Sequence, residues 1–360
     1  MKRRDILGKG ALGMGAVAVG ASAGSMAVAQ ERVRWRMATP WPAGPLLIQA
    51  PRIMADRIRE LTDGNFDIQV YQGGELVPAL ETLDAVQQGI AECGHGWGPY
   101  WIGKNPAFAL DGGIPMGMNS RQHYAWFFNA GGKELLHELY ERFNVIGWPA
   151  GNCDYQMGGF FREEINSLDD IQGLRIRIGG LGGEILSRMG ASTQVIAGAE
   201  IFSALERGVV DAAEWVGPYD DEQLGLHEVA PYYYYPSWWE PGTPLSVYVN
   251  LDHWQALPDQ YRSAFETAAR EVNLLHMAMY DYENTKALER LREQGVELRE
   301  FPTDVLEEAE RIAEELFEEY AADYEDWNRI WSHYRDYQQR FRESFRTMAH
   351  SYSSFNYRDS

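Results

Sequence analysis

Apolar and polar side chains alternate at period two over residues 33–37 and again over 66–71, while residues 45–61, opened by Pro45, carry apolar positions at helical spacing. This is a strand–helix–strand unit, and it predicts an α/β lobe. A helical stretch at 79–89, a run of small residues to Gly98, a helix over 121–143 and an apolar strand at 145–148 continue the alternation. A second series begins near Gln156: strand-like 157–162 and 174–178, a helix over 183–189 stopped by Gly190, strand-like 194–196, a helix over 200–207 and a buried strand over 209–215. Residues 245–250 read as a later strand returning toward the first lobe.

No repeat or low-complexity linker separates the two series, so the crossings between lobes are expected to be short strands. Residues 304–348 read as almost uninterrupted helix, with Tyr320, Tyr324, Trp327, Trp331, Tyr334, Phe341 and Phe345 on one face. At 1.5 Å per residue such a helix runs ~65 Å, longer than a compact lobe. Its stripe packs either on the chain's own core or against a partner chain.

Composition adds limits. With 45% hydrophobic residues in 360, the chain can bury two cores. Its 32 Lys and Arg against 53 Asp and Glu give a net charge of -21, which repels nucleic acid and anionic membranes. An anionic ligand remains open, because one cation in a low-dielectric cleft outweighs screened surface charge.

Lys2-Arg3-Arg4, a Gly/Ala-rich apolar stretch over 11–24 and Ala27-Val28-Ala29 form an export signal over residues 1–29, of the twin-arginine type. No later segment is long and apolar enough to span a bilayer, so the expected compartment is the periplasm. There, Cys93 and Cys153 allow one disulfide, which the sequence leaves open.

Enzyme motifs fail. Gly20-Ala21-Ser22-Ala23-Gly24 lies inside the signal, His137-Glu138 has Glu141 where a zincin needs its second His, and Gly180-Leu181-Gly182 meets Ile185 instead of a third glycine. Residues 174–178, Leu-Arg-Ile-Arg-Ile, are more informative, because they run through five residues rich in glycine into a helix. An arginine at the end of such a strand is placed to clamp a ligand carboxylate or to pair with an internal acid, and period two cannot choose between Arg175 and Arg177. Glu214-Trp215 and Trp238-Trp239-Glu240-Pro241 put carboxylates beside indoles, where they protonate, pair with Arg or bind a cation; Gln156 offers a neutral oxygen. Tyr232 to Tyr235 read as core.

The export signal, the α/β series, Asp169-Asp170-Ile171-Gln172-Gly173-Leu174-Arg175-Ile176-Arg177 and Val210-Asp211-Ala212-Ala213-Glu214-Trp215 together resemble the DctP-type extracytoplasmic solute receptors of tripartite ATP-independent periplasmic (TRAP) transporters, over nearly the whole mature chain. The resemblance implies a two-lobed α/β periplasmic binding protein fold with crossover strands, and selects Arg177 as the carboxylate anchor. Gln156-Met157-Gly158-Gly159, Glu214-Trp215 and Trp238-Trp239-Glu240-Pro241 resemble the branch that binds 2-oxo monocarboxylates such as pyruvate with a cation. Carried over, Gln156 touches cation and substrate, Glu214 and Glu240 give carboxylate oxygens to the ion, Trp215 gives it a backbone carbonyl and covers the ligand with its ring, and Tyr100 faces the cleft.

The implied ion is single, sodium ahead of calcium. The implied partners are the membrane subunits of a permease and a second copy that exchanges the C-terminal helix. The expected division is residues 30–152 mainly in the first lobe, 153–245 mainly in the second, 246–303 shared, and 304–360 as the long helix. No covalent chemistry is expected; an exported oxidoreductase or a sensor feeding a membrane kinase are the competing readings. Gly179 departs from the proline that many family members carry there.

Overall fold

A computed structural model describes residues 32–358; the export signal read over residues 1–29 lies outside them. Alternation in β1 (Val33–Ala38) buries Trp35 and Met37, and β2 (Phe66–Tyr71) buries Phe66 and Ile68, all on the core side of α1 (Gln49–Leu61). β1 pairs in parallel with β2 and with β3 (Cys93–Gly96). The chain continues through β4 (Val145–Asn152), β5 (Phe160–Phe161), β6 (Arg175–Arg177), β7 (Ser192–Gln194), β8 (Ala212–Ala213), β9 (Tyr232–Tyr235), β10 (Pro244–Asn250) and β11 (Glu297–Glu300).

These strands form two sheets, ordered β2-β1-β3-β10-β4 and β11-β9-β5-β8-β6-β7. β10 lies antiparallel between β3 and β4, so the chain leaves the first sheet through residues 153–159 and re-enters it through 236–243. Each sheet carries helices. α2 (Gly180–Arg188) follows β6, and α3 (Pro218–Gln223) follows β8.

The third crossing is α4 (Asp259–Glu293), whose 35 residues extend about 50 Å. It packs on α1 and β4 and then on α3. Its inner face is polar at Asn273, His276, Tyr280 and Asn284, a spacing that keeps the four in one row. Asn273 accepts the Gly151 N–H at 2.7 Å and donates to the Pro149 carbonyl at 2.9 Å. His276 accepts the Asn152 N–H at 3.1 Å and reaches the Leu46 carbonyl at 2.9 Å. Tyr280 donates to Asp220 at 2.6 Å, and Asn284 accepts the Tyr219 N–H at 3.0 Å. One helix therefore holds the end of β4 and the start of α3.

Two helices differ from expectation. The stretch 121–143 breaks into Ser120–Asn129 and Gly132–Glu141 at Gly131, whose φ of 91° suits glycine. The long C-terminal helix is likewise two, α5 (Thr303–Asp323) and α6 (Glu325–Phe345), separated by Tyr324 in extended conformation. α6 folds back on α5: the Trp327 indole donates to the Phe317 carbonyl at 3.0 Å, and Arg335 pairs with Glu318 at 2.8 Å. Trp327, Trp331 and Tyr334 thus join the chain's own core, while Phe341 and Phe345 lie beyond it, half-exposed. Cys93 and Cys153 are both free and buried in separate core clusters.

His123 is fully buried among the rings of Tyr124, Trp126 and Tyr334, and neither ring nitrogen has a hydrogen-bond partner among the described residues. Burial lowers its pKa to about 3, so between pH 6.5 and 3 the unfolded chain binds a proton there that the folded chain does not. Each such proton removes about 1.4 kcal/mol of stability per pH unit as pH falls. His123→Leu is expected to hold or raise stability at pH 7. It should also cut the pH slope of urea unfolding by about one proton relative to wild type; identical slopes would contradict this.

Candidate binding site between the two sheets

Arg177 ends β6, and the strand's short length decides its fate. Arg175, at the entry to the strand, is half-exposed and spends its guanidinium on Asp211, with Nε at 2.8 Å, and on the Gly208 carbonyl. Two positions later the chain is inside, and Arg177 is 2% exposed. Its Nε donates to the Ile196 carbonyl at 3.1 Å, and one terminal nitrogen donates to the Glu214 carbonyl and, at 2.9 Å, to the Glu214 carboxylate. Among the described residues the other terminal nitrogen reaches only the Tyr100 hydroxyl, at 3.5 Å. The guanidinium also lies 5.0 Å from the Trp215 ring, a cation–π contact in a desolvated place.

These groups line a small, nearly closed cavity with about 20 Å³ of free space. Arg177 is therefore paired internally and still borders that space. Gln156 and Glu240 reach the cavity from the two crossing segments. The Gln156 amide nitrogen donates to Glu240 at 2.8 Å and to the Thr243 hydroxyl at 2.8 Å, which orients its oxygen away from both. That oxygen is buried and has no hydrogen-bond partner among the described residues. An amide oxygen left this way costs about 1–3 kcal/mol, unless a guest satisfies it.

Burial pushes the Glu214 carboxyl above its usual range, with Arg177 and the Gly179 N–H opposing. Burial and the negative charge of Glu214 push Glu240 well above its usual range. Burial raises Tyr100 to about 12, so it stays a neutral hydroxyl. Two destabilised carboxylates beside an unsatisfied amide oxygen are the donor chemistry a hard cation uses, so these residues fit an ion. Among the described residues no group of three or more His, Cys, Asp or Glu forms a metal cluster. An ion here would need amide and carbonyl oxygens as well.

The structure brings Arg177, Gln156, Glu214, Trp215, Glu240 and Tyr100 to one cavity. Sequence reasoning missed Trp41, Trp97, Leu47 and Thr243, which also line it. A signal existed. Trp41 follows the carboxyl end of β1 and Trp97 that of β3, the positions where ligands sit in open α/β sheets.

The departure from proline at Gly179 has a steric setting that Gly180 shares. A Cβ on Gly179 would stand 2.8 Å from the Trp97 ring, and one on Gly180 would stand 2.8 Å from another atom of it. The glycine pair at the start of α2 admits an indole from the opposite sheet, which closes the cavity on that side.

A larger open groove, about 690 Å³, runs along α5 and α6. It is rimmed by Glu310, Glu314, Glu318, Glu319, Arg335 and Arg342 and shares no residue with the cavity around Arg177.

Residues 37–323 match the family described as bacterial extracellular solute-binding protein, family 7. The chain is 42% identical over 359 residues to a monocarboxylate 2-oxoacid-binding periplasmic protein from Nostoc sp., covering 99% of each. A TRAP transporter solute binding protein from Bordetella bronchiseptica, solved as a mixed-occupancy dimer with calcium and picolinate in its active site, is 40% identical with a TM-score of 0.90, covering 91% of this chain and 98% of that one. One from Pseudoalteromonas atlantica, with bound sodium and pyruvate, is 34% identical with a TM-score of 0.87, covering 90% and 99%. The fold, the cavity and these likenesses agree, and the chain belongs to the family 7 bacterial extracellular solute-binding proteins, the DctP-type receptors of TRAP transporters.

Proposed function

We propose that this receptor captures a small 2-oxo monocarboxylate such as pyruvate together with one hard cation in the periplasm, and delivers it to the membrane subunits of its permease. One observation carries the reading: the uncommitted edge of Arg177 and the unpartnered oxygen of Gln156 border the same small cavity. The guest's carboxylate takes the guanidinium edge; its 2-oxo group and a carboxylate oxygen chelate the ion. Gln156, Glu214, Glu240 and the Trp215 carbonyl supply the remaining oxygens, and the Trp215 ring and Tyr100 cover the guest.

Charge balance ties the ion to the protonation of Glu240. With the guest bound, one guanidinium faces three carboxyl groups. A divalent ion brings the buried sum to zero when all three are ionised, and a monovalent ion does so when Glu240, pushed up by burial, keeps its proton.

The decisive experiment is thermal shift with pyruvate in sodium-only, calcium-containing and cation-exchanged buffers, since a ligand of the native state raises Tm. A rise that needs a cation supports the reading; no rise in any buffer ends it. Capture of permease subunits separates delivery from signalling.

Gly179→Ala should weaken pyruvate binding at least tenfold and lower the Tm of the free protein, because its Cβ would stand 2.8 Å from the Trp97 ring. Restored affinity in Gly179→Ala combined with Trp97→Leu identifies the contact; no rescue rejects it.

A second copy fits the groove along α5 and α6. The half-exposed Phe341 and Phe345 near the end of α6 give such a copy an apolar contact beside the groove. Phe341→Asp with Phe345→Asp is expected to halve the mass seen by light scattering; an unchanged mass rejects this pairing.

A further inference from the structure

We propose that Trp41 sets the upper limit on the guest's carbon chain, and that His95 is the positioning residue that makes the limit firm. This rests on the 2-oxo acid reading and narrows it to acids with a short, unbranched tail. Arg177, Glu214, Gln156 and Glu240 fix the oxygen-bearing end of the guest, which leaves its tail to the apolar wall, where Trp41, Leu47, Val216 and Leu245 line the cavity.

Trp41 is the largest of these side chains, and it is held by hydrogen bonds as well as by packing. Pro40 and Pro42 restrict the backbone on both sides of it, and its carbonyl accepts the Gly73 N–H at 3.0 Å. Its indole N–H donates to His95 Nδ1 at 2.8 Å. An indole nitrogen only donates, so Nδ1 is the acceptor and the His95 proton sits on Nε2. Nε2 in turn donates to the Ala150 carbonyl, 3.0 Å away on β4.

The ring is thus braced through fully buried His95 on β3 to the next strand but one of the first sheet. Tyr100 stands beside it, with ring centroids 6.3 Å apart. A rigid wall in so small a cavity discriminates steeply, since each methylene at such a wall is worth roughly 10- to 200-fold in selectivity.

The test is calorimetric titration in calcium-containing buffer with pyruvate, 2-oxobutyrate, 2-oxovalerate and 4-methyl-2-oxovalerate. Wild type is expected to favour pyruvate over the branched acid at least tenfold. Trp41→Leu should shift that ratio at least tenfold toward the longer acids, and His95→Leu, which keeps the indole but frees it, should shift it the same way by less. Trp41→Phe gives a few-fold shift and decides the matter if the leucine variant does not fold. Equal weakening of every acid by the Trp41 variants, or tight binding of the branched acid by wild type, overturns the proposal while leaving the 2-oxo acid reading intact. Failure of wild type to bind any of the four in sodium or calcium overturns that reading, and this one with it.

Discussion

Arg177→Ala is expected to lower pyruvate affinity by about 2–5 kcal/mol, the range for truncating one member of a buried charge pair. The loss has two parts. The guest carboxylate loses its anchor, and the Ile196 and Glu214 carbonyls lose the donors that now satisfy them. The fold itself should suffer less, because the Glu214 carboxyl, already pushed up by burial, takes a proton once its cation is gone. Arg177→Lys should recover only part of the affinity, since an ammonium cannot serve Ile196, Glu214 and the guest with one planar fork. Calorimetry with pyruvate, alongside unchanged far-ultraviolet circular dichroism, checks this. Near-native affinity in the alanine variant would remove Arg177 from the binding role.

The second large effect concerns the ion. Glu214→Gln is expected to weaken pyruvate binding at least tenfold in calcium and to leave an affinity that no longer responds when the ion is exchanged away. The amide keeps the size of the side chain and still meets Arg177, so a change in ion response isolates the lost charge from lost packing. Titrations of wild type and variant, each with and without calcium, read it directly. Equal ion dependence in both would assign the cation to other oxygens.

The sequence made the charged half of the site legible and left the apolar half hidden. Glu214, Glu240 and Gln156 stood out because carboxylates beside tryptophan need an explanation, and the family resemblance separated Arg177 from Arg175 where alternation could not. Period two treats the two arginines alike. What divides them is depth along a three-residue strand, a property of the sheet's edge. Trp41 and Trp97 passed unnoticed because an indole after a strand looks like core until the opposite sheet supplies the other wall.

The same blindness affected helices. The break at Tyr324 costs one residue and leaves the aromatic spacing in phase on both sides, so periodicity ran straight through it. The first half of α4 carries a legible apolar stripe at helical spacing, Tyr261, Ala264, Phe265, Ala268, Ala269 and Val272, and only its second half replaces that stripe with the hydrogen-bonded row Asn273, His276, Tyr280 and Asn284.

That row also dictates how the molecule can move. Asn273 and His276 are fastened upstream and Tyr280 and Asn284 downstream, so the two sets of fastenings meet between residues 276 and 280, about one helical turn. Leu46 ties the two sets together, because its carbonyl meets His276 and its N–H donates at 2.6 Å to Asp220, the residue that Tyr280 holds. Displacing one half of the helix against the other therefore has to break a buried hydrogen bond, at a cost of about 1–3 kcal/mol.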